Sequence, residues 1–496
     1  MSEKNRYFPS LEDAASYKAE YKSVPIAREI YSDLRTPIQV LKILKNVSKH
    51  VYMLESVENQ EKTGRYTFLG YQPKLCITCL DNNLKVIDRE GNVIRKEQVL
   101  HPAECINEII NNYRSPKIEG MPTFTGGLVG YFAYDYIKYA EPTLNLDAED
   151  MEKFNDVDLM LFDKVIAFDN IRQKLIIIAN ASTDNLEINY KKAVNDIDEI
   201  INLIKNGEEV KQEKAHITSE FRRMFEEKEF CEMVEKAKKH IYEGDIFQVV
   251  LSNRLEADFE GSLLDTYRVL RTINPSPYMF YFSGDDIEVA GASPETLVKL
   301  EDGVLHTFPL AGTRPRGKTY EEDKRLEEEL LADEKERAEH NMLVDLGRND
   351  IGKISSFGSV ELEKYMSIER YSHVMHIGST VRGTIREDCT PLDAIDAILP
   401  AGTLSGAPKL RACEIINELE NNKRGIYGGA IGYIDFTGNL DTCIAIRIAF
   451  KKNGKVFVRS GAGIVADSVP ENEYIECINK AKAVMTAIEK SIEMED

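Results

Sequence analysis

Apolar residues in the first two hundred positions fall into short runs separated by turn-forming residues. VYMLESV at 51–57, GRYTFLGYQ at 64–72, KLCITCLD at 74–81, NLKVID at 83–88, GGLVGYFAYDY at 126–136, VIAFDN at 165–170 and KLIIIAN at 174–180 are rich in β-branched and aromatic residues, the composition of strands. A helical pattern over about 184–205 closes this region, and a polar passage at 207–225 follows. The helix-patterned EFCEMVEKAKKHIYEGD then opens a second region. There, strand-like runs (IFQVVLSNRL, PYMFYF, EVAGAS, LVKLEDGVLHT) alternate with long helices, and a hairpin-like pair at 427–463 precedes a last helix. The pattern predicts an α+β protein with large, mostly antiparallel sheets packed in a sandwich and flanked by helices, rather than a doubly wound parallel sheet. It divides the chain into an N-terminal region 1–206, a linker 207–225 and a C-terminal region 226–496.

Composition removes several classes. Lys and Arg number 63 against 84 Asp and Glu, a net charge of −21, and no basic patch interrupts this acidity, so nucleic acid and anionic membranes are poor partners. The polar start lacks the apolar core of a signal peptide, and no run is long enough to span a bilayer. Cysteines 76, 79, 105, 231, 389, 413, 443 and 477 are scattered in apolar runs, which reads as free thiols in a reducing cytoplasm. Tryptophan is absent from the chain.

Carboxylates supply the first candidate chemistry. Residues 320–339 carry ten acids against four bases, yet Leu326, Leu330, Leu331, Met342, Leu343 and Leu346 keep a helical apolar spacing. Most of those acids read as a solvated helix face. Glu336 and Glu339, three apart beside the apolar stripe, would repel each other unless a cation such as Mg²⁺ lay near them. On the last helix, expected to start at a Ser468–Glu471 capping box, Glu476 and Lys480 share a face. They read either as an exposed ion pair or as a metal carboxylate beside a substrate-binding cation. Gly461-Ala462-Gly463-Ile464-Val465-Ala466 matches a dinucleotide fingerprint only weakly, because Pro470 delays the following helix; what remains is a small-residue loop able to offer N–H groups to an anion. Zinc readings of Cys76/Cys79 and His373/His376 lack further ligands. Neither a nucleophile elbow nor a phosphate-binding loop is present.

The longer strings are more specific. PLAGTRPRG at 309–317, DEKERAEHNMLVDLGRNDIG at 333–352, VMHIGSTVRG at 374–383, LPAGTLSGAPK at 399–409 and SGAGIVADSVPENEYIECINKA at 460–481, with MLES at 53–56 and NPSPYMF at 274–280, resemble the chorismate-utilising enzymes, and among them the anthranilate synthase large-subunit family. The resemblance implies amination of chorismate with loss of pyruvate. Glu295 would be the general acid for the departing C4 hydroxyl, His376 would assist aromatisation, and Thr403 would lie near the ring. Gly312, Thr313, Tyr427, Arg447, Gly461, Ala462, Gly463 and Lys480 would bind chorismate. Glu339 and Glu476 would hold Mg²⁺, with Glu336 bonded to metal-bound water. Ser56, Pro277, Tyr278 and Met279 would contact tryptophan as feedback inhibitor; the same strings also read as β-core packing.

Two positions sort the family by chemistry. Gln248 stands where water-adding members carry a lysine base, and Ala311 where aminodeoxychorismate synthases carry a nucleophilic lysine. Both point to direct addition of ammonia. Nothing in the chain resembles a glutamine-hydrolysing site, so the resemblance implies a separate glutamine amidotransferase subunit, in a heterotetramer of two large and two small subunits. The rival readings are an aminodeoxychorismate synthase and a catalytically silent amino-acid-binding regulator on the same fold.

Overall fold

Along the strand Val51–Glu55, side chains alternate: Val51 and Met53 join a helix-backed core, while Tyr52 and Leu54 join an aromatic core on the opposite face, as the two-residue period of a strand dictates. A computed structural model of the chain describes residues 7–56, 64–211, 214–370 and 374–494. Among these, strands assemble into two sheets of thirteen and twelve, with antiparallel ladders throughout. The sandwich read from the sequence is the one observed.

The first sheet runs Ser23–Tyr31, Lys174–Ser182, Lys164–Asp169, Tyr66–Tyr71, Val51–Glu55, Tyr278–Ser283, Glu288–Ser293, Ile448–Lys452, Lys455–Ile464, Gln248–Glu260 and His216–Ile217. The second runs Leu310–Pro315, Val374–Thr384, Val304–Thr307, Thr296–Glu301, Leu440–Ile444, Ala430–Asp435, Gly127–Phe132, Val157–Phe162, Leu75–Leu80, Asn83–Asp88 and Val93–Gln98. Strands from before and after the 207–225 passage are neighbours in both sheets: Met53 pairs with Tyr281, and Gly130 with Gly432.

Phe68, Phe124, Tyr131, Phe162, Phe280, Phe282, Phe450 and Phe457 fill the space between the sheets, each contributing about 2–3 kcal/mol of burial. Helices Pro37–Val47, Leu186–Asn206, Leu264–Ile273 and Pro470–Glu493 cover the outer face of the first sheet. Helices Pro102–Asn111, Glu334–Gly352 and Pro391–Ile398 cover the second. None of the helices among the described residues is long and apolar enough to cross a membrane.

Two local expectations are corrected. The acidic segment is not one helix: Asp333 ends Tyr320–Ala332 and starts Glu334–Gly352, its carboxylate accepting from Lys335 N and Glu336 N. The last helix begins at Pro470, but Val469 is its N-cap. Ser468 accepts instead from Val465 N at 3.1 Å, folding the turn before the helix.

Candidate functional site

Two of the places where the chain crosses from one sheet to the other lie side by side. Pro294–Glu295 links Glu288–Ser293 to Thr296–Glu301, and Ala445–Arg447 links Leu440–Ile444 to Ile448–Lys452. The crossings are tied together, since Ile444 N donates to Glu295 O (2.9 Å) and Ala292 N to Arg447 O (3.1 Å). Arg447 takes a left-handed backbone, φ 53°, a conformation that costs a side-chain-bearing residue about 1 kcal/mol or more. Beyond this point Lys455–Ile464 loses its neighbour, the last pair being Ala449 with Val458. A cleft of about 650 Å³ opens there.

Every proposed catalytic residue lines this cleft: Glu295, His376 and Thr403. Thr403 Oγ1 donates to Glu295 Oε1 at 2.9 Å. Burial pushes the Glu295 carboxyl up to about 7, with the Thr403 bond and the charges of Lys480 and Arg447 opposing the rise. His376 lies on Val374–Thr384 opposite an irregularity in Leu310–Pro315, where the register slips between Ala311 and Arg314 and Gly312 has φ 66°. The slip brings the Gly312 carbonyl to 2.8 Å from His376 Nδ1, with Thr313 Oγ1 at 3.1 Å. A carbonyl only accepts, so Nδ1 carries the hydrogen and Nε2 the lone pair. Burial lowers the His376 pKa and keeps the ring neutral.

Gly312, Thr313, Tyr427, Arg447, Gly461, Gly463 and Lys480 also face the cleft. Ala462 does not: its side chain is buried with Phe230, Val234 and Cys413. The reason corrects the sequence reading. Residues 461–463 are not a loop but the end of a strand paired with Gln248–Glu260, Leu251 opposite Ala462, so alternate side chains point away from the cleft. Gly461 has no room for a Cβ, which would stand 2.8 Å from Leu251 O and 3.0 Å from the Tyr427 hydroxyl. Lys480 Nζ donates to Gly461 O at 3.0 Å and pairs with Glu476 at 2.7 Å.

Glu336, Glu339 and Glu476 line the same cleft. Burial raises the Glu339 carboxyl, and the negative charges of Glu336 and Glu476 raise it further. An oxygen-only, anionic donor set of this kind suits a hard divalent cation. The three carboxylates do not meet in one ready-made shell. Among the described residues the only trio of metal-ligating atoms within 4.8 Å of one another is His240, Glu243 and Asp245, at a surface turn where Asp245 is held by His240 and Arg411. The zinc candidates fare no better: Cys76 and Cys79 face opposite sides of their strand, and His373 lies outside the described residues.

Ser56, Pro277, Tyr278 and Met279 do not line the cleft. They come together at neighbouring strand ends, Met279 pairing with Glu55. At the wall of the cleft, which Arg459 lines, lies a network the sequence reading missed. Glu420 binds Arg424 at 2.6 Å and Arg459 at 2.7 Å, all three buried; Arg424 also donates to Val250 O and Leu404 O, and Arg459 to Ser252 Oγ. An arginine inside the apolar run VFVRSGAG was the available signal.

A sequence model described as chorismate binding enzyme matches residues 50–486. The chain belongs to this family. It is 47% identical to anthranilate synthase component 1 of Acetivibrio thermocellus over 98% of this chain and 100% of that protein. It is 45% identical to anthranilate synthase component 1 of Aquifex aeolicus, over 98% and 99% of the two chains. The crystal structure of anthranilate synthase component I from Streptococcus pneumoniae superposes with a TM-score of 0.73 at 37% identity, covering 92% of this chain and 98% of that one. The menaquinone-specific isochorismate synthase of Escherichia coli shares the family's fold, with a TM-score of 0.68 at 18% identity over 96% of this chain and 98% of that one.

Proposed function

We propose that the cleft binds chorismate and converts it, with ammonia, to anthranilate, pyruvate and water. The observation that carries this reading is the meeting, in one cleft, of a carboxyl that burial pushes up to about 7, an imidazole whose Nδ1 faces a carbonyl, and two cations: Glu295, His376, Arg447 and Lys480. Ammonia adds at C2 and loses a proton, both ring double bonds shift by one position, and the C4 hydroxyl leaves. Glu295, half protonated near pH 7, delivers the proton that lets it leave as water. His376 Nε2 then takes the C2 proton as the C3–O bond breaks, the ring aromatises, and the released enolate takes up a proton at its methylene carbon to become pyruvate. Thr403 orients the acid through its 2.9 Å bond. Arg447 and Lys480 draw in the two substrate carboxylates against the chain's net charge of −21.

Glu339 and Glu476 would hold Mg²⁺, with Glu336 beside them; when bound, the ion would neutralise the ring carboxylate. Gln248 and Ala311 both line the cleft and neither is a base or an amine nucleophile, which favours direct amination over a water-adding or aminodeoxychorismate reaction. In this reading a glutamine amidotransferase subunit supplies the ammonia within a cytoplasmic heterotetramer; the relatives' designation as a first component supports a partner component. Tryptophan, bound at Ser56, Pro277, Tyr278 and Met279, acts as feedback inhibitor.

The test is the purified chain with chorismate, Mg²⁺ and ammonium, followed by anthranilate fluorescence with and without tryptophan. Anthranilate is expected; an amino or hydroxy isomer of chorismate in its place would overturn the reading.

A further inference from the structure

Glu295 sits in a two-residue crossover between sheets, so ladder hydrogen bonds fix it only at its ends. The ladder on the far side is itself irregular, its register shifting between Thr296 and Val298. Tyr278 grips both ends of the crossover. Its backbone pairs with Ser293 in the first sheet, and Ser293 Oγ accepts from Glu295 N at 3.3 Å. Its side chain spans to the second sheet, where the phenol lies 3.0 Å from Thr296 Oγ1 and 2.8 Å from Asp441 Oδ1. A carboxylate only accepts, so the single phenolic hydrogen goes to Asp441 and Thr296 donates to the phenol. Asp441 belongs to Leu440–Ile444, the strand that pairs with Thr296 and donates Ile444 N to Glu295 O.

We propose that Tyr278 is a positioning residue for Glu295, its hydroxyl locking the inter-sheet crossover so that the carboxyl meets the departing hydroxyl. Tyr278 does not line the cleft, so it acts on the reaction through Glu295. A displacement of about 1 Å at a reacting group is enough to cost a large part of its catalytic effect. The proposal rests on the reading of Glu295 as general acid.

The experiment is a double-mutant cycle in the full chain, with chorismate, Mg²⁺ and ammonium, on Tyr278→Phe, Glu295→Gln and the pair. Tyr278→Phe alone should lower kcat about tenfold, with the chorismate KM within about twofold of the parent. In the Glu295→Gln background the same change should cost less than about twofold. Equal losses in the two backgrounds, or a loss confined to KM, would overturn the proposal. Thr296→Val removes only the Thr296 bond and leaves the phenol on Asp441, so it should lower kcat by less than Tyr278→Phe with the same dependence on Glu295, which keeps the test decisive if the first variant folds poorly. Full kcat in Glu295→Gln alone would instead remove the general-acid reading, an outcome distinct from additive losses.

Discussion

Thr403 Oγ1 donates to Glu295 Oε1 across 2.9 Å, placing a hydroxyl on a cleft carboxyl that burial pushes up to about 7. The bond favours the ionised form, so it holds the carboxyl below where burial alone would put it. A general acid works protonated; kcat should therefore fall as pH rises through about 7. Thr403→Val removes the opposing bond, so the descending limb should move to higher pH while kcat at pH 6 falls by about three- to tenfold from lost orientation. Rates measured with free ammonia held constant check both, and a limb moving to lower pH contradicts the assignment.

In the proposed reaction His376 acts in the second stage, so a change there should separate the two stages. Nδ1 is committed to the Gly312 carbonyl at 2.8 Å, and burial favours the neutral ring, so Nε2 carries the lone pair that the proposed reaction uses in its second stage. His376→Gln should slow anthranilate formation about 10²–10³-fold while chorismate continues to be consumed, with an amino cyclohexadiene accumulating. Chromatography of the reaction mixture distinguishes this from a uniform loss, which would place His376 in the first stage as well.

Glu420 faces two arginines inside the protein. Glu420→Gln leaves that pair uncompensated and should destabilise the fold by roughly 3–5 kcal/mol at pH 7. The arginines depress the Glu420 pKa, burial notwithstanding. A depressed carboxyl contributes stability that is present above its unfolded value of about 4.3 and lost as pH falls through the folded value. Urea denaturation should therefore show a wild-type advantage that is constant near neutrality and shrinks only below about pH 4.

The sequence made the sandwich legible because most of its strands are buried on at least one face and carry the residues to show it: LIII in Lys174–Ser182, YMFYF in Tyr278–Ser283. Ser23–Tyr31 and the exposed Val93–Gln98 escaped because their polar residues break the pattern. The site strings placed Glu295, His376 and Thr403 in one cleft although 108 residues separate the first and last. The brace from Tyr278 was not legible, since a hydroxyl bond between two sheets leaves no periodicity in the chain. The pairing of 461–463 was not legible either, because small residues suit a loop and a crowded strand equally.

Lys480 and the proposed cation compete for the same carboxylate, and this gives the metal reading opposite signs at two positions. In the structure Glu476 is engaged by Lys480 at 2.7 Å, while Glu339 is raised by burial and by its acidic neighbours. Glu339→Gln removes a ligand: Mg²⁺ binding measured by calorimetry should weaken at least about tenfold, and the rate at saturating chorismate should fall about 100-fold. The metal-free variant should melt no lower than the parent, because the substitution relieves repulsion with Glu336 and Glu476. Lys480→Met removes the competitor, so Mg²⁺ should bind a few-fold more tightly. The same change deletes a cation facing the substrate, so chorismate KM should rise about tenfold. A fall in Mg²⁺ affinity in Lys480→Met, or unchanged affinity in Glu339→Gln, would move the metal away from these carboxylates.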